Sequence, residues 1–406
     1  MTVRLSYGDD AAVSLDLGED ALVANCQRDL GAPLGELGPA VASALAAPID
    51  YPPLAQCIVP GDKIVLALEP GVPRAAELVE ALVEYLGTVG VGPADITLLG
   101  AGSRVEDDPA QLVPAVARGA MQTARHDPAD RRQLSYLAAT PKGRPVYLNR
   151  ALCDADVVIP IGCLRCNDAW GYLGGFSGLY PTFSDAKTLQ RFRHPEAVEA
   201  HTEIHARAQH EVERVGWLAG TPLVVQVLPG RDGSVLGLYA GAAEAVFRAG
   251  GERATAVWHY EVPRRASLVV AALSGGPLQQ TWDNVGRALA TAIRLIDDNG
   301  AIALCTELTT APGAAVRSLS GGRDPFEALR RIERHREPDA VAGRAVARAL
   351  SQARLFVLSG LDEELVEDLG MASVAAPEEI ARLAKRHPSC ILLPDAQYTV
   401  ASVCDE

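Results

Sequence analysis

The sequence predicts an α/β protein: two α/β domains with mostly parallel sheets and a cleft between them. Three observations carry that reading. Short apolar, β-branched runs alternate with stretches of helical spacing along the whole chain, the pattern of repeated βα units. Several of those runs are apolar at every position, which marks strands covered on both faces. The 406 residues suffice for two full hydrophobic cores.

Ile64–Glu69 (IVLALE) reads as a strand, and Arg74–Leu86 follows it with helical spacing. Asp95–Gly102 (DITLLGAG) is a second strand ending in a glycine-containing turn. Ala155–Gly162 (ADVVIPIG) is a third, and its continuous apolar run places it centrally. Leu223–Gly230 precedes a turn at Arg231-Asp232-Gly233, then a strand over Val235–Gly241 and a helix over Ala242–Ala249. The segment Trp258–Arg265, with its proline and charge pair, is the expected boundary between residues 1–262 and 263–406. The last residues are expected to pack back on the first domain. The second set runs through a strand at Ser267–Gly276, a helix from Trp282 to Ile296, and a turn at Asp297–Gly300 before the strand Ala301–Leu308. Arg354–Gly360 and Cys390–Gln397 complete it. In such sheets ligands sit outside the strand C-termini, so the site is expected there, facing the cleft.

Composition narrows the function classes. Apolar residues make up 48% and charged residues 22%, with a net charge of −14. An acidic surface disfavours nucleic acid and anionic membrane as partners, because both attract basic proteins. No apolar run is long enough to span a bilayer, and acidic residues stand near the N-terminus where a signal peptide needs an apolar core. A cytoplasmic location is the expectation. The eight cysteines are scattered and read as reduced thiols. Cys163-Leu164-Arg165-Cys166 alone has a suggestive spacing, but zinc needs four ligands and there is no second such pair. Buried, unreactive thiols are the preferred reading.

The stretch Val157–His194 is the richest in the chain. It opens as a buried strand, passes through Gly174-Gly175-Phe176-Ser177-Gly178, and enters a short helix expected to be capped by Ser184. It ends at His194, before Pro195. A glycine-rich loop lets backbone N–H groups approach a phosphate or other anion. His201 and His205 flank Glu203 in the wrong order for an HExxH zinc site. His126 is expected to make a structural hydrogen bond, and Gly100–Val105 does not complete a dinucleotide-binding GxGxxG.

Several blocks, in order, resemble the nickel-pincer-dependent lactate racemase family: Leu45–Leu68, Ala124–Gly162, the loop Gly174–Gly178, Val235–Gly250 and Leu273–Leu308. The resemblance implies a racemase (isomerase) scaffold for small 2-hydroxy acids. It also implies a nickel pincer nucleotide tethered to a lysine just past the loop and coordinated by a nearby histidine. Two further histidines would exchange protons. Residue by residue, Ser103 stands in place of the first catalytic histidine, with Arg104 beside it on the cofactor side. Asn167 or Asp168 stands near the second. The lysine's place falls near Leu179–Pro181, and the nearest lysine is Lys187. His194 matches the metal-side histidine. Asn284 and Arg287 match the substrate-side pair, and a spacing of three puts both on one helix face. Arg287 offers a planar fork for a carboxylate. The element after the first strand is altered to Glu69-Pro70-Gly71-Val72-Pro73-Arg74.

The sequence thus predicts a divergent relative with a site of Ser103, Asp168, Asn284 and Arg287, a loop at Gly174–Gly178 with Arg104, and His194 as metal ligand. The expected ligand is a small carboxylate or phosphate-bearing molecule. The covalent cofactor is expected to be absent, and the cofactor itself stays unidentified. A non-catalytic carboxylate- or nucleotide-binding protein, and a structural or regulatory subunit with a vestigial cleft, remain as alternatives.

Overall fold

A computed structural model describes residues 2–18, 20–102, 108–140, 142–166, 175–195, 202–221 and 223–404. Two six-stranded sheets organise the chain. The first has β4 (Ile64–Leu68) at its centre. On one side lie β5 (Ile96–Ala101) and β6 (Gln122–His126). On the other lie β9 (Val157–Cys163), β10 (Val224–Pro229) and β11 (Val235–Gly241). All pair in parallel except the edge strand β11. The second sheet is parallel throughout, with β13 (Ala266–Ala272) central. It is flanked by β14 (Ile296–Cys305), β15 (Arg354–Leu358) and β16 (Ala372–Val374) on one side, and by β17 (Cys390–Leu393) and β3 (Leu22–Asn25) on the other.

The continuous apolar strands have a simple cause. In β4, Ile64, Leu66 and Leu68 enter the core on one face, while Val65 and Ala67 enter that on the other. Helices α1 (Leu37–Ala46) and α2 (Ala75–Thr88) supply the first of these cores, and α3 (Arg150–Cys153) adds Leu152 to the second. In β13, Val269 and Ala271 face one core, and Leu268, Val270 and Ala272 the other. Side chains alternate along a strand, so a sheet covered on both sides needs apolar residues at every position.

Several boundaries differ from expectation. The loop helix α4 (Ala186–Phe192) is capped by Asp185, whose carboxylate accepts from the Lys187 and Thr188 amides at 2.9 and 3.2 Å. Ser184, expected as the cap, is instead buried, with its hydroxyl donating to the Pro181 carbonyl. A further hairpin, β7 (Leu134–Ala139) and β8 (Pro145–Asn149), covers the first sheet beside α4 and α5 (Glu203–Leu218). The helix expected over 242–249 runs on as α6 (Ala243–Trp258). The turn at Asp297–Gly300 is absorbed into β14, where Asn299 takes a left-handed backbone, φ 61°. The segment Trp258–Arg265 holds β12 (His259–Val262), which pairs with β18 (Val400–Val403). The chain's start forms the hairpin β1 (Thr2–Tyr7) and β2 (Ala11–Asp16), and β3 joins the second sheet.

A candidate anion site at two facing switch points

In each sheet the chain order reverses beside the central strand: between β4 and β9 in the first, and between β13 and β17 in the second. A reversal leaves a crevice outside the strand C-termini, because the two following loops depart in opposite directions. Here the two crevices abut. Glu69 follows β4, and Arg165 follows β9. The Arg165 guanidinium donates to the Glu69 carboxylate at 2.7 Å and to the Gly71 carbonyl at 3.4 Å. From the second half, Gln279 donates to the same Gly71 carbonyl at 3.1 Å and accepts from the Tyr398 hydroxyl at 2.8 Å.

Helix α7 (Trp282–Leu295), capped by Thr281, completes the cluster. Its residues Asn284 and Arg287 are both buried, on one face as their spacing predicts. Asn284 donates to the Gln279 backbone carbonyl at 2.7 Å, and Arg287 donates to the Asn284 side-chain oxygen at 2.8 Å. Arg287 is therefore not a solvated surface cation. Burial and the neighbouring Arg165 lower its pKa to about 10, which still leaves it cationic at neutral pH. Burial also opposes the charge of Arg165, but Cys163, Glu69 and Tyr398 outweigh it and raise that pKa. The Arg165 Nε and the Gln226 side-chain oxygen are buried without a hydrogen-bond partner. Two guanidiniums thus stand close together in a poorly solvated place, with Asp283 and Glu69 as the carboxylates that offset the charge of Arg287.

The backbone makes room for this cluster. A Cβ on Gly162 would lie 2.7 Å from the Gln226 amide nitrogen and 2.8 Å from the Glu69 carboxylate, so only glycine fits in β9 there. The described part of the loop, 175–178, reaches the same place, since a Cβ on Gly178 would lie 3.5 Å from Glu69. Gly175 has a packing reason: its Cβ would sit 2.5 Å from the Ala243 carbonyl oxygen. Phe176 and Ser177 form the turn between, with the Phe176 carbonyl accepting from the Leu179 and Tyr180 amides at 2.9 Å. Beside Glu69, a crevice of about 20 Å³ is lined by Pro70, Gly71, Gly100 and Leu278, room for roughly one water.

The remaining expected residues fall as follows. Ser103, Arg104, Asn167, Asp168, Gly174 and His201 lie outside the described residues. His194 stands half-buried just past α4. Among the described residues no three His, Cys, Asp or Glu side chains come together as metal ligands. His126 makes the structural bonds expected of it, to the Ser184 carbonyl at 2.9 Å and the Asn149 amide at 3.1 Å. The His205 amide donates to Thr202, the cap of α5. Cys163 is fully buried, and burial raises its thiol pKa, like that of Cys166, to about 11. Sequence reasoning missed Glu69, Arg165, Gln279 and Tyr398 as partners. The available signal was that Glu69 and Arg165 each follow closely on a buried strand.

Comparison with known proteins bears on this arrangement. Residues 7–204 match the family model described as the lactate racemase N-terminal domain. The fold is that of the lactate racemase apoprotein from Thermoanaerobacterium thermosaccharolyticum: TM-score 0.77 at 16% identity, over 99% of this chain and 100% of that one. A Thermotoga maritima protein of solved structure is also similar, with a TM-score of 0.68 at 12% identity, covering 92% of this chain and 99% of its own. Among curated proteins, none matches this sequence. No helix among the described residues is long and apolar enough to cross a membrane.

Proposed function

We propose that this chain, which carries a lactate racemase N-terminal domain over residues 7–204, binds a small carboxylate of the 2-hydroxy acid class where its two switch points meet. One observation supports this above the others: the guanidinium of Arg165 lies beside that of Arg287 in a poorly solvated place, where its charge disfavours that of Arg287. A ligand carboxylate would relieve the repulsion between them, with Arg165 Nε as a ready donor. Asn284 orients Arg287, and Gln279 and Tyr398 brace the far wall. Ser103 and Asp168 would complete the site from the segments that follow β5 and β9.

The residues present do not fit a tethered nickel pincer. Where the resemblance puts the lysine, Leu179 and Tyr180 are fully buried in an apolar cluster with Phe183 and Phe192. Lys187 points outward on α4. Among the described residues of the site only Glu69 could carry a proton to or from the ligand, and it is engaged by Arg165. Arginine does not deprotonate at neutral pH, and burial keeps the protons on Cys163 and Tyr398. The chemistry that remains is recognition of a carboxylate on an isomerase scaffold.

Titration calorimetry with D-lactate, L-lactate and lactamide, together with intact-protein mass, tests this. Both lactates should bind, lactamide should not, and the mass should equal that of the chain. Equal binding of lactamide, no binding of either lactate, or an adduct of nucleotide mass would each overturn the reading.

A further inference from the structure

A second cavity lies away from the switch points. It is a groove of about 680 Å³ between the β7–β8 hairpin, the end of α4 and the length of α5. Its floor is apolar, formed by Val146, Phe192, Ala208 and Val215, all buried. Its walls carry six cations: Lys142, Arg144, Arg191, Arg207, Arg214 and Arg336. The one carboxylate among the lining residues, Glu211, is taken by Arg191 through two bonds of 2.6 and 2.8 Å and by the Tyr180 hydroxyl at 2.6 Å. Arg207 pairs with Glu203. Among the described residues no carboxylate stands within ion-pair distance of Lys142, Arg144, Arg214 or Arg336.

This concentration of positive charge runs against the rest of the molecule, whose net charge is −14. Unpaired like charges around one groove repel one another, which costs stability unless an anion neutralises them. Arg336 also takes a backbone that residues other than glycine rarely adopt. It ends helix α9 (Pro325–His335), the next after the short α8 (Ala314–Arg317), with φ 52°, where glycine is the easier residue, and its side chain lines the groove. The volume is that of a small-ligand site, and the floor calls for an apolar body beneath the charged group.

We propose that this groove binds an organic diphosphate, its apolar part on Phe192 and Val215 and its phosphates between Arg144, Arg214 and Arg336. Two sources share that chemistry: a nucleoside diphosphate and an isoprenoid diphosphate. Neither needs the Arg165–Glu69 cluster, so this inference stands apart from carboxylate binding.

The test is titration calorimetry at low salt with ADP, geranyl diphosphate and inorganic pyrophosphate, on the full chain and on a variant carrying Arg144→Glu and Arg214→Glu. One of the two organic diphosphates should bind at least about tenfold more tightly than pyrophosphate, and raised salt should weaken it. The tighter of the two identifies the source. The double variant should lose about tenfold or more, with its circular dichroism unchanged, while Arg248→Glu, on an exposed residue elsewhere, should bind as the parent does. Pyrophosphate binding as tightly as both organic ligands, an unaffected double variant, or a single-stranded oligonucleotide binding more tightly than either would overturn the proposal.

Discussion

Arg165 and Glu69 form an ion pair of 2.7 Å across the β9–β4 reversal, and the guanidinium is only 6% exposed. The pair sits where the fold opens a crevice, so its energetics and the site's are joined. Removing one member of a buried pair strands the other charge, which typically costs about 3–5 kcal/mol, whereas replacing both with apolar residues is often tolerated. Glu69→Gln should therefore lower unfolding free energy by about 3 kcal/mol in urea denaturation. Glu69→Leu combined with Arg165→Met should recover most of that. A double variant no more stable than the single would show that the pair is not the source of the loss.

Arg287 makes a different prediction because it donates to the neutral Asn284. Arg287→Ala should weaken lactate binding by about 1.5–3 kcal/mol, the range for a charge-assisted hydrogen bond. It also removes a like charge from beside Arg165, which offsets part of the packing loss, so the melting temperature should move little. Arg287→Lys should restore only part of the affinity, since an ammonium lacks the planar fork. Unchanged affinity in the alanine variant would leave Arg287 a structural residue.

Much of the fold was readable because its strands are apolar on both faces, a pattern that local sequence displays directly. The hairpins and β3 were not readable. β3 is four half-buried residues at a sheet edge, with neither alternation nor a continuous apolar run to mark it. The site divided in the same way. Asn284 and Arg287 share a helix face, so a spacing of three reveals them. Glu69 and Arg165 are 96 residues apart and meet only through the β4–β9 pairing, which no local pattern encodes. Lys142, Arg144 and Arg214 likewise converge only once the hairpin lies on α5.

The cysteines give a simple check on packing. Cys153 and Cys404 are exposed, whereas Cys26, Cys163, Cys305 and Cys390 are buried. Burial pushes the thiols of Cys26, Cys305 and Cys390 up to about 12, and the thiolate is the reactive form. A thiol reagent at neutral pH should label Cys153 and Cys404 first, mapped by peptide mass. Rapid labelling of Cys163 would contradict its place at the end of β9.

Gly175 tests the loop. Its added Cβ would meet the Ala243 carbonyl, which is backbone and cannot turn aside. Gly175→Ala should cost about 1–3 kcal/mol through overpacking and should shift the loop against α6. Full stability in that variant would mean that this glycine is not held by packing.

The last prediction concerns Asp395, which is buried after β17 and accepts from the Ser274 hydroxyl. Burial pushes its pKa up to about 6, opposed by the Ser274 bond and, more weakly, by Arg231. In the unfolded chain the group titrates near its ordinary value of 3.8. Between those values the folded state holds a proton that the unfolded state has released. Stability from this group is therefore greatest below the unfolded value and falls as pH rises towards about 6, by about 3 kcal/mol in all. This is opposite in sign to the usual carboxylate behaviour. Asp395→Asn keeps a neutral polar group beside Ser274 and Asp232, so it should remove the slope and gain most at neutral pH. Urea unfolding across pH 4 to 7 (about three units, spanning the transition) on both proteins measures it. A parent slope in that window no different from the variant's would show that Asp395 is already ionised in the folded chain.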